Sequence, residues 1–252
     1  MNTLILKLEY DGTNYAGWQI QPNAKTIQEE LEHAIKKIVG FPLKTVGAGR
    51  TDAGVHAKGQ VVSIPLSIDF PVPIQKIPQA FNSNLPSDIK VKSAVTLPYS
   101  FNARFDALAR EYSYTLLLKD SVFLKRFALV IKYDLDLALL EESAKLFIGK
   151  NNFTTFSKLN EETKHHFCNV MISEWQKIGE DILQYRIKAD RFLYGMVRAL
   201  VGAMIDVARG KRKIDDIKKA LKNKERSQAS PLVQPQGLVL EKVYYSKKLF
   251  LE

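Results

Sequence analysis

Apolar and polar positions alternate at the start of the chain. Leu4, Leu6, Leu8 and Tyr10 fall on one side and Lys7 and Glu9 on the other, the period of a strand with one buried face. The turn-rich stretch "DGTNYAGWQIQPN" follows. The period then changes to that of a helix, with Ile27, Leu31, Ala34, Ile35 and Ile38 making one apolar stripe. Thr26 with Glu29 three residues on is a capping box, and Gly40 and Pro42 end the helix. A short strand near Leu43 to Val46, a strand at "QVVSIPL", a short helix within "PIQKIPQAFNSNL" and a strand at "IKVKSAVTL" complete a β-α-β-β-α-β order.

The second half repeats that order without repeating the residues. "REYSYTLLL" reads as a strand and "DLALLEESAKLFIG" as a helix ending at its glycine. "NVMISEWQKI" and "ILQYRIKAD" form a hairpin around Gly179-Glu180-Asp181. "FLYGMVRALVGAMIDVA" is a strongly apolar helix, a basic helix covers Ile214 to Lys222, and "LVLEKVYY" is a closing strand. The expected class is α+β: two ferredoxin-like (RRM-like) halves with adjoining antiparallel sheets and a central cleft, where sites are favoured. The boundary falls between Ser100 and Leu108, giving halves at 1–104 and 105–252.

Composition narrows the function classes. The chain has 252 residues, 46% hydrophobic and 25% charged, typical of a globular protein that buries a sizeable core. Its apolar runs are too short to span a membrane, and its first residues read as a strand, not a secretion signal. Cys168 is the only cysteine, so neither an internal disulfide nor a cysteine-based metal site is expected, and the address is cytoplasmic. The net charge is +10. Arg186 to Arg226 alone carries thirteen Lys or Arg against five Asp or Glu. Such a basic balance points to a polyanion partner, although a Lys-rich solvated surface gives the same count.

The candidate chemistry lies in "GAGRTDAGVHA", Gly47 to Ala57. Gly47 and Gly49 begin a dinucleotide fingerprint, but Asp52 stands where its third glycine belongs, and no Gly-Lys-Ser/Thr follows. A carboxylate in a phosphate cradle would repel the phosphate. The glycines are therefore expected to turn the loop sharply and let a bulky ligand approach. Asp52 is the candidate reactive group, with Arg50 as the neighbour that keeps it ionised. The plain alternative is a tight turn with a surface ion pair. Arg198, on the apolar helix among Met196, Val197, Leu200 and Val201, needs a partner, because an unpaired charge there is costly. Asp206 is one candidate. Tyr112 and Tyr114 share one strand face and read as core aromatics on pattern alone. Asp11-Gly12 reads as a turn and His56 as a packed, hydrogen-bonded residue. The "HHFC" cluster at His165 to Cys168 lacks the further ligands of a zinc site. Lys211, Arg212, Lys213, Lys218, Lys219, Lys222 and Lys224 are phosphate-contact candidates or a solvated helix face.

The string "GAGRTDAGVHA" resembles the signature loop of the TruA-type tRNA pseudouridine synthases. The resemblance continues in order through "LEYDGTNYAGWQIQPNAKTIQEELE", "FNARFDALAREYSYTL", "FLYGMVRALVGAMIDVARGK" and "QGLVLEKVYY", nearly the whole chain. It implies the pseudouridine synthase fold and the isomerisation of uridine to pseudouridine at positions 38, 39 and/or 40 of the tRNA anticodon stem-loop. It implies Asp52 as nucleophile and Arg50 as the group that helps turn the base out. Tyr112 would stack on the flipped base, Arg198 would pair with Asp52, and Leu238 would lie against the base. The family works as a homodimer with tRNA as partner.

The chemistry agrees with that reading. The reaction breaks N1–C1′ and joins C5 to C1′ with no net change of atoms or electrons, so neither cofactor nor metal is expected. Attack at C1′, addition at C6 and deprotonation of the sugar all remain open. A glycosidase would need a second carboxylate, for which Asp11, Asp88 and Asp106 are candidates. The base of a stem is out of reach until it is flipped. Two other classes fit part of the pattern: an RNA-binding protein or chaperone without chemistry, and a hydrolase using Asp52. The loop "KLNEETKHHF" departs from the family's usual basic pattern, as does the glycine of "FLYG".

Overall fold

The computed structural model describes residues 2–67, 69–158, 165–223, 230–247 and 249–250. The chain divides into two compact units, Met1–Leu108 with Val239–Glu252, and Ala109–Leu238.

The first unit begins with β1 (Asn2–Tyr10), followed by α1 (Ile27–Val39), the two-residue β2 (Val46–Gly47), β3 (His56–Leu66), α2 (Ile77–Asn82) and β4 (Ile89–Leu97). Its sheet order is β4-β1-β3-β2, antiparallel throughout, which is the ferredoxin-like order expected from the β-α-β-β-α-β sequence. The Thr26 side chain accepts from the Glu29 amide and starts α1, and Gly40 closes it at φ 88°. The other ends are tied by side-chain amides and carboxylates. Asn82 bridges α2 to Val91, taking its N–H at 2.8 Å and donating to its carbonyl at 3.0 Å. Glu32 of α1 accepts from the Thr45 amide at 3.0 Å, just before β2. The alternation in β1 understates its burial. Ile5 is as buried as Leu4 and Leu6, because β1 lies between two strands and the segment after β4 crosses its second face. There the Thr3 hydroxyl donates to Tyr99 O at 2.9 Å, and the Ser63 hydroxyl accepts from Ala103 N at 3.0 Å.

The second unit holds β5 (Ala109–Leu117), β6 (Leu129–Val130), α3 (Leu137–Lys145), β7 (Gly149–Asn152), β8 (Phe167–Gly179), β9 (Ile182–Ala189), α4 (Met196–Ala208) and α5 (Ile214–Asn223). Its sheet runs β5-β9-β8-β7, with β6 beside β5. The expected hairpin forms, Gly179 pairing with Ile182. Two helices differ from their expected spans. The second-half helix stops at Lys145, and its expected glycine stop, Gly149, instead opens β7 at φ 93°. The apolar helix starts at Met196, not Phe192, because Gly195 sits in the left-handed region at φ 69°. From there 11 of its 13 residues are buried, so it is a core helix.

The closing strand, β10 (Leu238–Tyr244), runs parallel to β3, with Val239 beside His56 and Leu240 beside Ala57. Its residues from Val239 on group with the first unit.

Candidate active site

The Asp52 loop joins β2 to β3 and is tied on both sides of the carboxylate. Ala48 N donates to Val61 O at 2.8 Å, and the buried Gln60 amide donates to Gly49 O at 2.8 Å. The buried Thr51 hydroxyl meets the Tyr10 hydroxyl at 2.8 Å, and Thr51 O accepts from Trp18 N at 3.0 Å. Asp52 O accepts from Val55 N at 3.1 Å, closing a tight turn in which Gly54 takes φ 75°. Gly54 N in turn donates to Tyr15 O at 3.2 Å. Thr51 therefore faces the core, while Arg50 is exposed and Asp52 half-buried. The loop backbone is held on the protein side and these two charged side chains stand outward.

The opening loop, residues 11–23, is the support. A side chain at Gly12 would strike Val55 O, and one at Gly17, which has φ 105°, would come within 2.6 Å of Thr51 O. At Gly47 a Cβ would lie 2.5 Å from Cε2 of the Trp18 indole. That last contact corrects an expectation: the room left by Gly47 admits the protein's own tryptophan, not a ligand.

The three acids considered as a second catalytic carboxylate each have structural partners. Asp88 accepts from the Tyr15 hydroxyl at 2.5 Å, and burial together with Asp88 pushes that phenol well above its ordinary pKa. Asp106 accepts from Asn102 N at 2.8 Å. Asp11 caps its turn by accepting from Thr13 N at 3.0 Å and the Thr13 hydroxyl at 2.6 Å. Its Oδ1 also lies 3.1 Å from Nδ1 of His56, which lies 3.0 Å from Gly12 N. With its proton Nδ1 donates to Asp11, and without it Nδ1 accepts from Gly12; one nitrogen cannot do both at once. In either state the imidazole braces the opening loop against the start of β3.

The remaining candidates belong to the second unit. Tyr112 and Tyr114 are 8% and 0% exposed, as the strand pattern alone suggested. Phe192 meets Tyr112 edge-on, with ring centroids 5.0 Å apart. The Tyr114 hydroxyl donates to Gln234 O at 2.7 Å. Burial pushes its phenol well up, and the charge of Arg198 partly offsets this. Arg198 is half-buried on α4, and its Nε donates to Val233 O at 2.8 Å. Asp206, the rival partner, pairs with Arg209 at 3.2 Å. Leu238 is buried at the start of β10. The segment from Val233 to Leu238 thus receives both the Arg198 and Tyr114 side chains and ends at Leu238. The loop in the first unit brings Arg50 and Asp52 together.

A family model described as tRNA pseudouridine synthase matches residues 8–106 and 143–246, most of both units. The chain belongs to the tRNA pseudouridine synthase family. Membership makes it an isomerase acting on tRNA, converting uridine to pseudouridine. It is 38% identical to tRNA pseudouridine synthase A of Geobacter sp. (strain M21), the match covering 97% of this chain and 99% of that one. It is 37% identical to the protein of the same name from Porphyromonas gingivalis over all of both chains. Among solved structures it is similar to a chain in the "Crystal Structure of a Cbf5-Nop10-Gar1 Complex", at 15% identity and a TM-score of 0.35, over 81% of this chain and 54% of that one.

A tRNA-modifying enzyme needs cations for phosphates, and several expected ones are engaged internally. On α5, Lys218 pairs with Asp215 at 2.8 Å and Lys219 with Asp216 at 3.9 Å. Lys211, Lys213 and Lys222 are exposed, Arg212 is half-buried, and Lys224 lies outside the described residues. Sequence reasoning missed a second basic group around the turn before α4. Lys158 Nζ stands 4.8 Å over the exposed Tyr194 ring, and Arg191 meets His165 at 3.0 Å. The "FLY" triplet was the available signal, absorbed into a helix by its apolar look. Cys168 is buried, and burial pushes its thiol up to about 12. Among the described residues, no cluster of three His, Cys, Asp or Glu is placed to hold a metal, and no helix is long and apolar enough to cross a membrane.

Proposed function

We propose that this member of the family modifies position 38, 39 or 40 in the anticodon stem-loop of tRNA, with Asp52 as its nucleophile. The observation that carries the reading is the Asp52 loop. Its backbone is tied at Ala48, Gly49, Thr51, Asp52 and Gly54, while the Asp52 side chain is turned toward solvent. Such an arrangement holds a reactive group without spending that group on the fold.

The reaction conserves atoms. The N1–C1′ bond breaks, the uracil rotates, C5 bonds to C1′, C5 loses its hydrogen and N1 gains one. A carboxylate serves this chemistry by attack at C1′, by addition to C6 or by taking a proton from the sugar. The exposed guanidinium of Arg50, two residues from Asp52, is suited to meet RNA phosphate or fill the space left by a flipped base. Tyr112 is proposed as the ring on which the base rests, Leu238 as an apolar contact for it, and Arg198 as a positive charge that the reaction requires. These three roles rest on the family resemblance. The first unit then carries the reacting carboxylate, and the second carries these three residues and the basic α5. The enzyme is proposed to work in the cytoplasm as a homodimer.

The test is to map pseudouridine in an unmodified tRNA transcript after incubation with the enzyme, by carbodiimide adduct formation and primer extension. Stops confined to positions 38–40 are the expected result. Stops elsewhere, with 38–40 untouched, would refute the assignment of positions.

A further inference from the structure

The face of the first unit's sheet turned away from the Asp52 loop carries a cavity outside the chemistry described so far. Lys7 of β1 pairs with Val61, whereas the next pair, Leu8 with Gln60, points to the opposite face. Gln60 is the residue whose amide holds Gly49 of the Asp52 loop. Lys7, Gly59 and Val61 therefore look away from that loop. On their side lies a cavity of about 360 Å³, with Lys7, Lys242 and Lys247 among its lining together with Val61, Tyr244 and Phe250.

Three features make this more than a gap between side chains. The charge is of one sign: no acidic residue lines the cavity, and the neighbouring Glu241 pairs with Lys58 at 3.0 Å. The walls are preformed. The Tyr245 hydroxyl donates to Ala103 O at 2.7 Å, its ring rests on Phe101 at 5.1 Å, and Leu108 N donates to Tyr244 O at 2.8 Å. The cations and rings are also interleaved, with Lys242 Nζ 5.6 Å from the Tyr244 ring centre.

Cations beside rings suit a ligand with an anionic group next to a flat one. Lysine binds phosphate as a point charge, and exposed rings stack with any base. Ligand pockets commonly hold about 300–1,000 Å³, so this one sits at the low end, in the range of a single nucleotide. We propose that this cavity binds a nucleotide, its phosphate on the three lysines and its base against Tyr244 and Phe250. The nucleotide is either part of the bound RNA or free in solution, and the experiment separates the two.

The full-length enzyme is compared with Lys7→Ala/Lys242→Ala and with the charge-keeping Lys7→Arg/Lys242→Arg. Binding of unmodified tRNA is measured by filter retention across a salt series, and binding of uridine 5′-monophosphate by equilibrium dialysis. If RNA fills the cavity, the alanine pair weakens tRNA binding several-fold and lowers the slope of log K against log salt by about 2, roughly one per lost phosphate contact. The arginine pair keeps both. If a free nucleotide fills it, the wild type binds the monophosphate, the alanine pair loses at least tenfold, and tRNA binding is unchanged. Unaltered tRNA binding with no monophosphate bound by the wild type overturns the proposal, as does an alanine pair that only changes the oligomeric state. Thermal melting confirms that both variants are folded. Binding is read without turnover, so the outcome does not depend on the role of Asp52.

Discussion

Replacing Gly17 by alanine tests whether the opening loop holds the Asp52 loop in place. Gly17 lies 35 residues before Asp52 and has no chemistry of its own. Its φ of 105° lies where side chains are strained, at a cost of roughly 1–3 kcal/mol. The added Cβ would also fall 2.6 Å from Thr51 O, 3.1 Å from Asp52 C and 3.2 Å from Ala53 N. All three are backbone atoms of the catalytic loop, so no side chain can rotate aside. Overpacking adds about 1–3 kcal/mol, giving a combined cost of about 3 kcal/mol if the loop relaxes partway. For a chain of this size about 3 kcal/mol lowers Tm by roughly 6–12 °C. Relief comes only by moving the loop, and a displacement approaching 1 Å at a reacting group costs about a hundredfold in rate.

Gly40→Ala is the control. Gly40 also has positive φ, 88°, but nothing lies within 4 Å of its Cβ position. It should cost about 1 kcal/mol and leave turnover unchanged. The assays are thermal melting by circular dichroism and single-turnover pseudouridine formation. If Gly17→Ala proves as mild as Gly40→Ala in both, the account of the support is wrong.

Thr26→Ala removes the side-chain acceptor for the Glu29 amide and should cost about 1 kcal/mol in a denaturant titration; no change in midpoint would show that the α1 cap is idle. Arg198→Ala leaves Val233 O without its 2.8 Å donor and should cost about 1–3 kcal/mol. Arg198→Lys should recover only part, because an ammonium lacks the Nε–H, and full recovery would count against the bond. The Cys168 thiol is pushed from 9.0 to about 12 by burial, so its thiolate fraction at pH 8 should be about a thousandfold lower than in the unfolded chain. Alkylation by iodoacetamide, followed by mass spectrometry, should be correspondingly slow, and labelling at the denatured rate would contradict the burial. The folded thiol holds its proton more tightly than the unfolded one. Its contribution to stability is therefore complete below pH 9 and is lost as pH rises through about 12.

The parts of this molecule legible in its sequence are those governed by short-range pattern. The alternation of Leu4 to Tyr10, the capping box at Thr26 and the Glu180-Asp181 turn each gave the element found. Pattern failed where a single backbone angle or a distant contact decided. Gly195 starts α4 four residues late because it adopts positive φ, which an apolar run does not disclose. The polar "GKNN" has no alternation, and it becomes β7 only by pairing with Phe167 to Val170. Asp52 and Arg50 stood out because an acid in a glycine-rich loop fits neither phosphate fingerprint. Their supports did not: Trp18 lies 29 residues from Gly47 in the chain, and nothing local says that the indole fills the glycine's space. Gln60 and Tyr10 likewise read as ordinary strand residues, although their polar groups reach Gly49 and Thr51.

The central claim, that Asp52 performs the isomerisation, is tested most directly by tritium release from tRNA labelled at C5 of uridine, comparing wild type with Asp52→Asn. The account predicts release by the wild type, none above background by Asp52→Asn, and retained tRNA binding by that variant. Release by Asp52→Asn at a rate comparable to wild type would contradict it.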